Sequence, residues 1–205
     1  MYLTRLRPNP RNGLARRDLS NPYEMHRTLA RAFAVDEESL PRVLWRLELD
    51  ATWTNPEVMV QAMQPGNWAV LEALSGYLAR PAESKKIMLG DLLRSGDRYR
   101  FRVRANPTVY RSGRRFGLVG EDHQVSWLEK KGAQHGFQVE SSLVTGTEVL
   151  RAFKRSKPVT LRAVTFDGYL KCTDVSLLEN AIANGVGRGK AFGMGLLSVA
   201  RARSR

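Results

Sequence analysis

The sequence predicts an α+β protein with two tandem ferredoxin-like (βαββαβ, RRM-like) domains. In the first half, strand and helix patterns follow the order β-α-β-β-α, and in the second half the complete order β-α-β-β-α-β can be assigned. A hydrophobic fraction of 42% in 205 residues is sufficient for a buried core. We therefore expect a first domain at residues 1–92 and a second at residues 97–205.

The first domain is predicted from five segments. Strands are expected at Tyr2–Leu6, Val43–Leu49 and Val58–Ala62, a helix from Pro22 to about Ala34, and a weaker helix at Trp68–Leu78. The stretch Pro81–Ser95 has no clear period and contains proline and glycine. We expect it to link the two domains.

The helix that begins at Pro22 has a well-defined start. Asn21 can cap this helix, and Pro22 suits its first position because proline has no N–H group to leave unpaired. Glu24 would complete a capping box with Asn21.

Three side chains that can take part in a reaction follow this start. Tyr23 and His26 lie three residues apart on one face of the helix, and Arg27 follows at the four-residue step from Tyr23. The amino terminus of a helix also favours an anion such as phosphate. The spacing leaves two interpretations open: a phosphodiester site in which the three groups converge, and a partly buried aromatic pair.

The second domain is predicted from a longer series of segments. Strands are expected at Arg98–Pro107, Phe137–Leu143, Val149–Phe153, Thr160–Phe166, Tyr169–Cys172 and Leu196–Ala200, and helices at Asp122–Gln134 and from Asp174 to about Ala183. Asp167-Gly168 is interpreted as a hairpin turn, and Tyr110–Phe116 as a basic loop or hairpin. His123 and His135 are interpreted as residues that mark the ends of a helix.

Arginines alternate with apolar residues along the strand that opens the second domain. Tyr99, Phe101, Val103 and Ala105 are expected to face the core, which places Arg98, Arg100, Arg102 and Arg104 together on the other face. Four like charges side by side repel each other unless water or a polyanion screens them. A phosphate-binding face and a solvated face both remain open as interpretations.

The overall charge favours nucleic acid as the partner. The net charge is +13, with a sequence pI near 10.5, and most of the basic residues are arginines, whose guanidinium groups suit phosphate oxygens. No apolar run is long enough to span a bilayer and no secretory signal is apparent, so we expect a cytoplasmic protein that does not bind membranes. A single cysteine and three histidines without zinc spacing give no reason to expect a metal or another cofactor.

A glycine-rich segment precedes the last predicted strand. Its sequence, G-V-G-R-G-K-A-F-G-M-G-L-L-S-V from Gly185, lets backbone N–H groups approach an anion, while Arg188 and Lys190 add charge. It is not a P-loop, because alanine follows the Gly-Lys pair and the segment leads into a strand instead of a helix.

Three motifs in this order resemble one family. The glycine-rich segment is similar to the signature loop of CRISPR-associated RNA-binding proteins, and N-P-Y-E-M-H-R-T-L together with F-R-V-R-A-N-P resembles the repeat-processing endoribonucleases of the type I-E CasE (Cse3) family. The resemblance covers nearly the whole chain. It implies two ferredoxin-like domains, cleavage of precursor CRISPR RNA beside a repeat stem-loop, and retention of the product RNA together with the other subunits of the Cascade complex.

The resemblance also implies roles for individual residues. Tyr23 and His26 match the family positions implicated in cleavage, and the basic turn Lys154–Lys157 corresponds in position to a hairpin that contacts the RNA stem. Basic and glycine residues are expected to bind RNA: Arg16, Arg17, Arg27, Arg98, Arg100, Arg102, Arg104, Lys154, Arg155, Lys157, Gly187, Arg188, Gly189 and Lys190.

The expected chemistry is a transesterification without metal that leaves a 2′,3′-cyclic phosphate. A histidine, with an ordinary pKa near ~6.5, can exchange a proton at neutral pH, and Tyr23 could orient the 2′-hydroxyl. Two alternatives remain: a non-catalytic RNA-binding subunit of the same complex, in which Tyr23 and His26 stack on a base, and an unrelated basic nuclease with the same fold.

Overall fold

The computed structural model describes residues 1–33, 41–48, 54–154 and 157–202. Backbone contacts divide the chain into two compact units. The first unit contains Met1–Ile87, Arg151–Val159 and Ala191–Gly193, and the second contains Met88–Leu150, Thr160–Lys190 and Met194–Arg205.

The first unit is built on a four-stranded antiparallel sheet. Its elements are β1 (Tyr2–Pro8), α1 (Gly13–Ser20), α2 (Pro22–Ala30), β2 (Leu44–Leu47), β3 (Val58–Ala62), α3 (Ala69–Glu72) and β4 (Leu78–Lys86), with a 3₁₀ turn at Arg31–Phe33 after α2. The strand order is β2-β3-β1-β4, and β1 is antiparallel to both of its neighbours. This order and the βαββαβ sequence are those of a ferredoxin-like unit.

The second unit repeats this arrangement. Its elements are α4 (Leu89–Leu92), β5 (Arg98–Ala105), β6 (Thr108–Arg111), β7 (Arg114–Gly117), α5 (Glu121–Gln134), β8 (Phe137–Lys154), β9 (Lys157–Cys172), α6 (Val175–Asn184) and β10 (Leu197–Arg201). The end of β8 from Arg151 onward and the start of β9 as far as Val159 are counted with the first unit. In its four-stranded sheet, of order β10-β5-β9-β8, the first strand, β5, again lies between the third, β9, and the fourth, β10. The predicted α+β class with two ferredoxin-like sheets is confirmed.

The apolar stripe of α2 packs into the core of the first unit. Met25 and Leu29 are buried, and Phe33 continues the stripe in the following 3₁₀ turn. The predicted helix therefore begins at Pro22 as expected but changes its hydrogen-bonding pattern after Ala30, while its predicted end at Ala34 lies outside the described residues. Leu49, the predicted end of the next strand, also lies outside them.

The prediction of a linker at Pro81–Ser95 is wrong for the first half of that stretch. Leu78–Lys86 forms β4, the edge strand that pairs with β1, and the predicted helix Trp68–Leu78 is reduced to the four residues of α3. Most side chains of β4 are exposed, so the strand has no apolar alternation. Pro81 is tolerated because an edge strand can leave one side without hydrogen bonds.

The hairpin turn predicted at Asp167-Gly168 is also wrong. Both residues lie inside β9, opposite Arg102 and Phe101 of β5, and the strands predicted on either side of them form one long strand. A Cβ at Gly168 would lie 2.0 Å from the carbonyl oxygen of Ser141 on β8. Glycine is required there because another backbone passes very close.

The basic segment Tyr110–Phe116 is a hairpin, as one of its two interpretations stated. It joins β6 to β7, and the turn residues Ser112 and Gly113 both have positive φ, at 48° and 75°. Two consecutive positive φ values are those of a type I′ turn, which matches the twist of a two-stranded hairpin.

Two further observations concern the described residues as a whole. None of their helices is both long and apolar enough to cross a bilayer. No group of three or more histidine, cysteine, aspartate or glutamate side chains among them is arranged to hold a metal ion.

Candidate active site

The start of α2 is fixed by Asn21 but not by a capping box. The side-chain oxygen of Asn21 accepts a hydrogen bond from the backbone N–H of Tyr23 at 3.2 Å, and Pro22 occupies the first helical position. The N–H of Asn21 donates to the carbonyl of Arg17 at 2.9 Å, because α1 ends where α2 begins. Glu24 therefore has no role in capping that N–H, and the predicted capping box is wrong.

Tyr23 and His26 lie on the same side of α2 and are both half-buried. The Tyr23 ring packs against Phe192, with the ring centroids 5.9 Å apart and the planes at 32°. Nδ1 of His26 is buried. This tyrosine–histidine pair with Phe192 is named the Tyr23–His26 site below.

A glycine next to Phe192 allows this packing. Gly193 has a φ of +74°, and a Cβ at this position would lie 2.9 Å from the ring of Trp45. Only glycine therefore lets the chain cross the face of Trp45 while Phe192 meets Tyr23. The sequence reasoning missed Phe192, although an aromatic residue between the glycines of G-K-A-F-G was a usable signal.

Arg27 is held by an acidic neighbour on its own helix. Its Nη1 lies 3.1 Å from the Glu24 carboxylate, and 65% of its side chain is exposed. The predicted convergence of a guanidinium with Tyr23 and His26 is replaced by this i,i+3 ion pair. Arg27 remains accessible at the surface beside the site.

Arg17 has a structural contact that the sequence did not reveal. It forms an ion pair of 2.7 Å with Asp18, which is buried and also accepts a hydrogen bond of 2.9 Å from the hydroxyl of Tyr77. Burial and the Asp18 carboxylate raise the pKa of Tyr77 well above its ordinary value. Arg16 is exposed and donates to the carbonyl of Arg11 at 3.1 Å.

Strand β5 has the predicted alternation of arginines and apolar residues, but its arginines are not left without counter-charges as predicted. The apolar residues Tyr99, Phe101, Val103 and Ala105 are buried, as expected. Carboxylates on β8 and β9 pair with three of the four arginines: Arg98 with Glu140, Arg102 with Asp167 and Arg104 with Glu148. Arg104 is only 6% exposed, whereas Arg98 and Arg100 are exposed. The expectation that water or a polyanion must screen all four charges is therefore wrong.

The basic turn begins beside the start of α2. Phe153, the residue before Lys154, accepts a hydrogen bond from the side-chain amide of Asn21 at 3.4 Å. Lys154 ends β8, Lys157 begins β9 and is exposed, and Arg155 lies outside the described residues.

The glycine-rich segment folds back on itself. The N–H of Val186 donates to the carbonyl of Gly195 at 2.8 Å, and the Lys190 ammonium donates to the carbonyl of Gly187 at 2.8 Å. Gly187 and Gly189 both have positive φ, a conformation that glycine adopts without a steric penalty. Arg188 is exposed.

Comparison with known proteins gives the family. A family model described as "CRISPR associated protein" matches residues 1–201. The chain belongs to this CRISPR-associated protein family. The family predicted from the three motifs is thereby confirmed.

Individual relatives match this CRISPR-associated protein over nearly its full length. It is 39% identical to the CRISPR-associated endoribonuclease Cse3 of Thermus thermophilus, over 98% of this chain and 100% of that protein. It is 25% identical to the Cascade subunit CasE of Escherichia coli K12, over 87% of this chain and 91% of that protein. The solved structure of Thermus thermophilus Cse3 bound to an RNA representing a pre-cleavage complex superposes with a TM-score of 0.86 and 37% identity, covering 97% of this chain and 98% of that chain.

Proposed function

We propose that this protein is a CRISPR-associated endoribonuclease that cleaves repeat stem-loops in precursor CRISPR RNA and stays bound to the product as a subunit of Cascade. The observation that supports this most strongly is the Tyr23–His26 site on a capped helix, in a chain 39% identical to an endoribonuclease over 98% of its length. The protein acts in the cytoplasm, and the domains of residues 1–92 and 97–205 both contribute to RNA binding.

The reaction is a transesterification without a metal ion. The 2′-oxygen upstream of the scissile phosphate attacks phosphorus, the O2′–P bond forms and the P–O5′ bond breaks. One proton leaves the 2′-hydroxyl and one reaches the departing 5′-oxygen, so that the products end in a 2′,3′-cyclic phosphate and a 5′-hydroxyl. Charge on the phosphorane is stabilised by the basic residues around it.

His26 is the proton-exchanging group of this scheme, as general acid or general base. Because its Nδ1 is buried, the proton passes through Nε2. Tyr23 orients the 2′-hydroxyl or shares the proton transfer, and the contact with Phe192 fixes the direction of its ring.

RNA affinity comes from the basic surface, since a stem is recognised through its shape, phosphates and 2′-hydroxyls. Residues proposed to contact RNA are Arg16, Arg17, Arg27, Arg98, Arg100, Arg102, Lys154, Arg155, Lys157, Gly187, Arg188, Gly189 and Lys190, whereas Arg104 is buried against Glu148 and is not among them. Arg98, Arg100 and Lys157 are exposed residues on strands. Their contribution makes binding weaker as salt rises.

Substitution of His26 tests this function. We expect His26→Ala to lower the single-turnover rate on a labelled repeat RNA by about 10²–10⁴-fold, because proton transfer is lost, with binding changed by less than about twofold. His123→Ala is the matched control, since His123 is exposed and its Nδ1 lies 3.2 Å from the Val119 carbonyl. Equal rates for the two variants would contradict the proposal. A wild-type protein that binds the repeat RNA without cutting it would instead be a non-catalytic subunit.

A further inference from the structure

A cavity of about 340 Å³ lies within the second unit and is lined by none of the residues of the Tyr23–His26 site. Its walls come from hairpin β6–β7, α5 and the glycine-rich segment. The side chains that determine its character are Arg115, Trp127, Lys131, His135, Arg188 and Lys190. This space is named the basic cavity.

The basic cavity is strongly cationic. Arg115, Lys131, Arg188 and Lys190 all line it, and none of its described lining residues is acidic. Lys131 and His135 are one helical turn apart, so both belong to the same face at the end of α5. Like charges that converge repel each other, and a bound anion relieves that repulsion.

The wall made by the glycine-rich segment is fixed in place. Gly187 has a φ of +78°, and a Cβ at this position would lie 3.0 Å from the Trp127 ring. The loop therefore lies directly against the indole of Trp127. A hydrogen bond from the Lys190 ammonium to the Gly187 carbonyl also holds the loop together. A wall ordered in this way has little conformational entropy left to lose when a ligand binds.

We propose that the basic cavity binds one nucleotide of an unpaired RNA segment, with its phosphate held by Lys131, Arg188 and Lys190. The proposal rests on the proposed function, since it assigns a further contact to the same RNA. The volume of the cavity is within the range of pockets that hold small ligands, roughly 300–1,000 Å³. A base that enters a cavity has to leave its stack, which requires an unpaired nucleotide. Asn106 and Thr108 also line the cavity and offer polar groups to a base edge.

His135 provides a reporter for occupancy. Burial lowers the pKa of His135 below its ordinary value, and the charges of Lys131 and Lys190 lower it further. Arg115 and Arg188 are the other charged groups of the cavity. A phosphate bound among these groups raises the pKa of His135, because an anion stabilises the imidazolium form.

The test is an NMR titration of the full chain labelled at its histidines, of which there are only three, His26, His123 and His135. The ligand is a repeat stem-loop with an unpaired flank, in which a 2′-deoxy nucleotide prevents cleavage. We expect this RNA to raise the pKa of His135 and to leave the ring chemical shifts of His123 unchanged. The same stem-loop without the flank is expected to have a smaller effect on His135. Parallel titrations use inorganic phosphate and AMP.

A pair of variants tests the same site by affinity. Lys131→Gln is expected to weaken binding of the flanked RNA about fivefold and to reduce the slope of log Kd against log salt by about 0.7, the value for one lost contact to single-stranded phosphate. Lys130→Gln removes the same charge from the neighbouring exposed position, which does not line the cavity, and is expected to change affinity less than about twofold.

The outcomes separate this inference from the proposed function. If the unmodified RNA is cut but the RNA titration leaves the pKa of His135 unchanged, or if the two lysine variants behave alike, the cavity is not an RNA site and the proposed function stands. If the protein neither binds nor cuts the RNA, both are wrong. If AMP or phosphate raises the pKa of His135 and RNA does not, the cavity binds free nucleotides and the RNA assignment is wrong.

Discussion

The Tyr23–His26 site and the basic cavity each contain one half-buried histidine, but the neighbours of the two histidines differ. His26 lies near the start of α2, one turn from an aromatic pair. His135 lies at the end of α5 among cations that lower its pKa. We propose that the first histidine exchanges a proton with a reacting group and that the second lies beside a bound anion. The residue type is the same, and its surroundings determine the chemistry.

The largest expected effect comes from a change in the RNA that affects only the Tyr23–His26 site. A 2′-deoxy nucleotide immediately upstream of the cut removes the attacking oxygen, so cleavage there should fall below detection while affinity changes less than about twofold. A substrate with the 2′-deoxy nucleotide two positions further upstream is the control and should be cut normally. Normal cleavage of both substrates would mean that water is the nucleophile.

A smaller effect is expected when the packing of Phe192 is disturbed. Gly193→Ala forces a Cβ against the Trp45 ring at a positive φ and should displace Phe192 from Tyr23, lowering the cleavage rate about tenfold and the free energy of unfolding by about 1–3 kcal/mol. Gly96→Ala is the control, because Gly96 also has a positive φ but has nothing within 4 Å of its Cβ position. If both variants cleave RNA at the wild-type rate, Phe192 has no part in positioning Tyr23.

The cap of α2 should matter less than the packing of Phe192. Asn21→Ala removes the acceptor for the Tyr23 N–H and is expected to cost about 1 kcal/mol of stability and to lower cleavage a few fold. Asp174→Ala removes the equivalent acceptor for Leu177 at the start of α6, and should cost a similar free energy without slowing single-turnover cleavage. Thermal unfolding and cleavage of the two variants, measured side by side, distinguish a local effect on the site from a general loss of stability.

The smallest effect expected is a pH dependence of stability from His135. Its pKa is lower in the folded protein than in the unfolded chain, so the unfolded chain binds more protons near and below pH ~6.5. Stability should therefore fall as pH decreases through that range, and part of the fall should be absent in His135→Gln. An identical pH profile for the two proteins, measured by denaturant unfolding, would show that the pKa of His135 is not lowered by folding.

The parts of the fold with strong local signals were predictable from the sequence. The strand Val58–Ala62 and the start of α2 at Pro22 have the predicted bounds, and the cap of α6 at Asp174 is confirmed. Each of these signals depends on neighbouring residues alone, either through apolar periodicity or through a side chain that satisfies a helix N–H group.

The parts that failed depend on contacts between distant residues. Edge strand β4 has few buried side chains and is defined by its pairing with β1, which no local pattern reveals. The Asp-Gly pair in β9 has a sequence typical of a turn. Gly168 is instead required because the backbone of β8 passes too close to leave room for a Cβ. The predicted capping box failed because the N–H of Asn21 already donates to the last turn of α1.

The candidate site was predictable in its first members only. The spacing of Tyr23 and His26 placed them on one helical face, and the family resemblance suggested their role. Phe192 lies nearly 170 residues after Tyr23 in the sequence, so only the fold could place it in the site. The basic cavity likewise combines α5 with a glycine-rich segment from another part of the chain. His135 lies at the end of α5, as predicted, but its place in the cavity depends on the fold.

The most direct test of the account is the reaction of wild-type protein with a labelled repeat RNA in EDTA. The account predicts a single cut at the base of the stem and a new 3′ end that carries a 2′,3′-cyclic phosphate, because the 2′-oxygen is the nucleophile and no metal takes part. A cut that requires added Mg²⁺, or a new end that carries a 3′-hydroxyl, would contradict it.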